Sequence, residues 1–188
     1  MKKTILILAL AAAGIWVGKA EAADLGTSLE ISPQVGLAQP GQGNFSLGIG
    51  AGLFVGARMD DISLGAQTTI YSFNYAPPGT NANVTGGFSM VEFLALLKKR
   101  FGGAGPAYFL VNLGAGGALY TDNSSGIIFN NTIKNNISET DPLVKASLGV
   151  GFKLSPGSEL SFELGPDMAF SNGGRYWIAP FQVGLSFF

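Results

Sequence analysis

Apolar and polar positions alternate along this chain with a period of two, and the pattern returns eight times. Residues 44–58 show it best. Phe45, Leu47, Ile49, Ala51, Leu53, Val55 and Ala57 fall on one face, and Ser46, Gly48, Gly50, Gly52, Phe54, Gly56 and Arg58 on the other. Comparable runs cover residues 27–37, 62–73, 88–100, 107–120, 143–154, 159–170 and 176–187. In residues 143–154, Val144, Ala146, Leu148, Val150 and Phe152 oppose Lys145, Ser147, Gly149, Gly151 and Lys153. Period two is the mark of strands with one apolar face, so the pattern predicts eight of them. The connections 59–61, 101–106 and 155–158 are short and rich in turn formers, whereas 74–87 and 121–142 are long. Short turns at one end and longer loops at the other suit an antiparallel up-and-down order.

Composition sharpens this. Charged residues make up only 12% of the 188 residues and mean hydropathy is +0.33, yet no stretch after residue 23 is long and apolar enough for a membrane-spanning helix. The 28 glycines argue against helices altogether. Apolar surface on that scale is hidden most simply by a closed barrel facing lipid, which leaves no backbone group unpaired. A soluble barrel for a hydrophobic ligand would need the opposite facing, apolar inside.

The first residues predict export. Lys2 and Lys3 precede the apolar run from Thr4 to Val17, and Ala20-Glu21-Ala22 offers a cleavage site. A signal peptide over residues 1–22 leaves the barrel domain at 23–188. Lys2, Lys3, Lys19 and Glu21 leave with the signal, so eight basic and eleven acidic residues remain. That balance excludes a basic nucleic-acid-binding face. With no cysteine, disulfides, thiolate chemistry and lipid attachment through cysteine are excluded.

On the residues of its last strand, Phe181-Gln182-Val183-Gly184-Leu185-Ser186-Phe187-Phe188, and on its strand pattern, the chain resembles the small outer-membrane barrels of the OmpA and OmpX type. The resemblance implies an all-β, eight-stranded antiparallel transmembrane barrel in a bacterial outer membrane. It also implies that Phe181, Val183, Leu185, Phe187 and Phe188 form a C-terminal signal read by the barrel-insertion machinery, with periplasmic chaperones as earlier partners. Phe188 falls one step off the face of Phe187, as an extra residue or as part of a terminal bulge. Pro33 and Pro180 fall in the strands that close the barrel, where proline cannot donate to the ladder; both cut against closure, and a local bulge is one way to absorb each.

Nine charged residues take inward positions: Glu30, Arg58, Glu92, Lys98, Arg100, Lys145, Lys153, Glu163 and Asp167. Unpaired burial is costly, so a network of ion pairs is expected, with Lys145 and Asp167 opposed across the hairpin at Pro156-Gly157. Glu30, Arg58, Lys98, Lys153 and Glu163 belong nearer the periplasmic end. An eight-stranded barrel is just wide enough for its own side chains, which favours a plugged core over a channel. Inward Phe54, Tyr71, Leu94 and Leu96 point the same way, while the inward glycines favour a pore.

Catalysis has little to work with. Without histidine a serine–histidine nucleophile cannot be assembled. Asp60-Asp61 reads as a turn. Asp122, Glu139 and Asp141 match no calcium loop. Gly114-Ala115-Gly116-Gly117 has no following helix and reads as strand interior. The expected function is non-enzymatic, without cofactor or metal: an envelope barrel anchored in outer-membrane lipids and presenting its loops outside. The Asn-rich loop 121–142 is a candidate for a surface ligand. The alternative is a small porin-like channel for ions or small solutes.

Overall fold

The computed structural model describes residues 26–41, 46–75, 86–102, 105–122, 140–171 and 174–188. The predicted signal peptide, 1–22, and the core of the long loop, 123–139, lie outside them. Nine strand segments follow in chain order: β1 (Thr27–Pro40), β2 (Gly48–Met59), β3 (Ile62–Tyr75), β4 (Gly86–Phe101), β5 (Ala107–Asp122), β6 (Thr140–Ser155), β7 (Ser158–Leu164), β8 (Asp167–Ser171) and β9 (Gly174–Phe187). β1 to β6 pair antiparallel in chain order, β7 and β8 each pair with both β6 and β9, and β9 returns to β1, which closes the sheet.

β7 and β8 are two halves of one membrane-spanning strand, so the barrel has eight. Two prolines cause the break. Ala146 N–H donates to Pro166 O (3.1 Å), and Gly165 N–H donates to Pro180 O (3.4 Å). In an antiparallel ladder each of these bonds has a reciprocal one, and proline has no N–H with which to make it. The register on either side is unshifted: Leu148 faces Leu164, and three residues on Lys145 faces Asp167. Pro33 behaves alike. The β1–β9 pairing lapses at Ser32 and Pro33, with Ile31 opposite Phe187 before and Gln34 opposite Gly184 after. No bulge is needed at Pro33 or Pro180: the register is unshifted across both. At the first gap a side-chain bond spans the seam, Ser186 Oγ to Ser32 Oγ (3.0 Å). The register irregularity in the described ladders lies instead at the β6–β7 hairpin, between Lys153 and Ser155.

The pairing fixes the barrel's shape. Stepping from partner to partner, Glu30 leads through Gly56, Gly65, Leu96, Gly114, Lys145, Asp167 and Ile178 back to β1 at Pro40, ten residues further on. A ten-residue stagger at about 3.3 Å per residue, set against eight strands about 4.7 Å apart, tilts the strands by about 40° and puts the backbone about 8 Å from the axis. The interior therefore holds side chains and little else.

Alternation sorts the residues as the pattern predicts. Leu29, Val35, Ile49, Leu64, Phe93, Phe109, Leu113, Leu148 and Phe181 are exposed on the outer wall, while Glu30, Gln34, Phe54, Gln67, Glu92, Asn112, Lys145 and Gln182 are buried inside. On β9 the exposed aromatics Trp177 and Phe187 stand ten residues apart, about 33 Å along the tilted strand and so about 25 Å along the barrel axis. That separation matches the apolar band of outer-membrane barrels.

The space beside inward glycines is taken by neighbouring side chains. A Cβ on Gly151 would lie 2.1 Å from the Tyr108 ring, and one on Gly50 would lie 2.4 Å from the Tyr71 ring. Rings from the adjacent strand occupy the space that the missing side chains leave.

Candidate functional site in the barrel interior

The inward side chains form three tiers. At the short-turn end, Arg100 from β4 reaches across the barrel. Its Nη2 donates to Glu30 Oε2 (2.8 Å), its Nη1 to Ser63 Oγ (2.8 Å) and its Nε to Glu159 Oε2 (3.0 Å). Ser63 Oγ donates to the same Glu30 oxygen (2.5 Å), and Lys98 Nζ to the other (3.5 Å). Lys98 also lies 4.0 Å from the centre of the Phe54 ring. Glu159 accepts two further bonds, from Arg58 Nη2 (3.0 Å) and from the Tyr108 hydroxyl (2.7 Å). Three cations thus share two carboxylates with every carboxylate oxygen used, the arrangement that makes buried charge tolerable.

The middle tier is acidic. Asn112 Nδ2 donates to Glu163 Oε2 (2.6 Å) and Ser161 Oγ to Glu163 Oε1 (3.1 Å). Lys145 Nζ donates to Asp167 Oδ2 (3.2 Å) and to Gln182 Oε1 (3.0 Å), and Gln182 Nε2 donates to the Tyr71 hydroxyl (2.9 Å). Both members of the Lys145–Asp167 pair are fully buried, with 0% of either side chain exposed. Glu92 completes the tier. Above it, towards the loops, lies an apolar layer with Ala38, Phe73, Met90, Leu143, Ala169 and Ile178.

Of the inward charges read from the sequence, Glu30, Arg58 and Lys98 meet at the short-turn end, and Lys145 meets Asp167. Glu163 stands one level higher than expected, with Asn112. Lys153, expected inside, is exposed beside the β6–β7 turn, where its register partner is Glu159. Glu159 is the charged residue of the network that the sequence reading did not name, and Tyr108 and Gln182 were not named as members of it either. The signal for Glu159 was present, since residues 159, 161 and 163 share one face, but its place at the edge of a turn hid it.

Phe188 is an extra residue and not a bulge. β9 ends at Phe187, and Phe188 N–H donates to Gly157 O (3.1 Å). Its ring lies 3.8 Å from the Arg58 guanidinium, closing over the lower tier. Asp60-Asp61 is a hairpin turn, with Met59 opposite Ile62 and Asp60 at a φ of 50°, a left-handed conformation that aspartate tolerates.

No family model matches the chain, and no curated protein matches it by sequence. Solved structures do. Neisserial surface protein A (NspA) superposes with a TM-score of 0.67 over 87% of this chain and 99% of its own, at 14% identity. The N-terminal β-barrel domain of OprF from Pseudomonas aeruginosa matches over 84% of this chain and 97% of its own (TM-score 0.45, 13% identity). Ail from Yersinia pestis matches over 86% and 97% (TM-score 0.40, 13% identity). At such identities the first likeness establishes the architecture, which the closed register and the apolar outer wall establish independently. This chain has the fold of the small eight-stranded outer-membrane β-barrels of the OmpA and OmpX type.

Proposed function

We propose that the protein is a non-enzymatic, integral outer-membrane barrel that serves the envelope as a lipid-anchored platform for its loops and does not conduct. The observation that carries this reading is the burial of the large inward side chains at every level of the barrel. Arg100, Tyr108 and Glu159 cross the short-turn end, Phe54, Leu94 and Leu96 fill the middle wall, and Met90, Phe73 and Ile178 close the loop end, all of them buried. In this reading the chain reaches the membrane through cleavage of residues 1–22. Residues 181–188 engage the insertion machinery, and the loop 121–142 offers the surface for a ligand. NspA, by its name a surface protein, is a structural parallel for such a platform.

A small pore is the second reading. It is favoured by buried polar atoms that no protein group satisfies, the Gln34 amide, Gln67 Oε1 and Asn112 Oδ1, which suit a hydrated interior. Single-channel recording in a planar bilayer separates the two, on protein whose folding is shown by a gel-mobility change on boiling. The platform reading expects silence. Discrete conductance steps altered by Lys145→Met or Asp167→Asn would replace it with the pore.

A further inference from the structure

The middle tier holds more negative charge than its one ammonium can balance. Glu92, Glu163 and Asp167 face Lys145, and the cations of the short-turn end are already bonded to Glu30 and Glu159. Glu163 accepts bonds from Asn112 and Ser161, and Asp167 accepts one from Lys145. Glu92 accepts none. Its side chain is 0% exposed, and neither of its oxygens meets a donor. Its carboxyl lies within interaction range of the Asp167 carboxyl, whose Oδ1 also lacks a protein donor. Lys145 and Glu163 stand beyond Asp167, and the Tyr71, Tyr120 and Tyr176 hydroxyls complete the titratable surroundings from β3, β5 and β9.

Two acceptor-only groups that are both cut off from solvent do not face each other unless something positive lies between them. Among the described residues no cluster of acidic side chains offers the three ligands that a metal ion would need. A proton is the ligand that fits. We infer that Glu92 and Asp167 form a proton-binding site in the barrel, one proton being shared between the two carboxyls while Lys145 balances the remaining charge. The Glu92 carboxyl then donates to Asp167 Oδ1, and the local charge falls from two negatives and one positive to one of each. Lys145, Asp167 and Glu92 become a neutral unit.

The test is infrared spectroscopy of the full protein, extracted into detergent and exchanged into heavy water at neutral pH. A protonated carboxyl gives a C=O stretch well apart from the carboxylate bands. Wild type is expected to show this band, and Glu92→Gln to lose all of it while remaining folded, because the amide copies the shape of the neutral acid. Asp167→Asn is expected to lose it too, since Glu92 then releases its proton to become the counter-ion of Lys145. Should either variant fail to fold, glutamate labelled with carbon-13 at Cδ gives the same answer on wild type. One glutamate resonance at the protonated position is expected. No protonated carboxyl in wild type, or a band unchanged in folded Glu92→Gln, overturns the inference.

Discussion

Replacing Lys145 with methionine keeps the length of the side chain and removes its charge. In the native barrel Lys145 Nζ holds Asp167 Oδ2 at 3.2 Å and Gln182 Oε1 at 3.0 Å, and among the described residues no second cation bonds the aspartate. The substitution leaves an aspartate carboxylate with no cation in a site where 0% of its side chain reaches solvent. An exposed ion pair is worth only about 0–1 kcal/mol. Stranding one member of a buried pair costs about 3–5 kcal/mol, and the second figure applies here. Removing both charges together, as Lys145→Met with Asp167→Leu, strands neither charge of the pair, only the Gln182 amide oxygen, and should bring stability back to within about 2 kcal/mol of wild type. The two changes should therefore couple by at least about 2 kcal/mol. Reversible urea unfolding in lipid vesicles measures this. Trp177, the one tryptophan after residue 22 and exposed on the outer wall, reports the transition by fluorescence. Single-variant losses below about 1 kcal/mol would mean that water reaches the pair. Additive losses would mean that the pair is not an energetic unit. Either result refutes the packed interior.

Three further outcomes follow from the lower tier and its rim. Gly151→Ala forces a methyl group against the Tyr108 ring and should cost about 1–3 kcal/mol in the same unfolding assay, whereas Gly102→Ala, with open space around it but a φ of 84°, tests backbone strain alone. Tyr108→Phe removes the 2.7 Å bond to the Glu159 carboxylate and should cost about 1.5–3 kcal/mol; a neutral result would place water at that hydroxyl. Phe188→Ala uncovers Arg58 and should cost about 0.5–1 kcal/mol in stability measured on folded protein, since the pair is partly exposed.

The alternation was legible because lipid outside and packed side chains inside impose opposite demands at every step, so each strand repeats the message. Lys145 and Asp167 were readable as partners for the same reason: a short hairpin fixes the register, and register decides who faces whom. What resisted reading depends on neighbours across the barrel. Glu159 and Arg100 meet over a separation of 59 residues, and no local pattern announces that. Gly151 looked like empty lumen because the ring that fills it belongs to Tyr108 on the next strand. Lys153 has the inward parity of Lys145, but parity says nothing about where the buried part of a strand ends. The prolines looked like defects for bulges to absorb; in fact a ladder can forgo one bond at Pro166, Pro180 or Pro33 and keep its register.

The central claim is a membrane-spanning barrel with its apolar face in lipid and its polar face packed inside. The chain has no cysteine, so single cysteines at positions 108 to 113 on β5 can each carry a nitroxide label. Electron paramagnetic resonance then measures collision with oxygen, which concentrates in lipid. The account predicts maxima at Phe109, Val111 and Leu113 and minima at Tyr108, Leu110 and Asn112, a period of two in phase with the outer wall. The same period with the opposite phase, or no period at all, would contradict it.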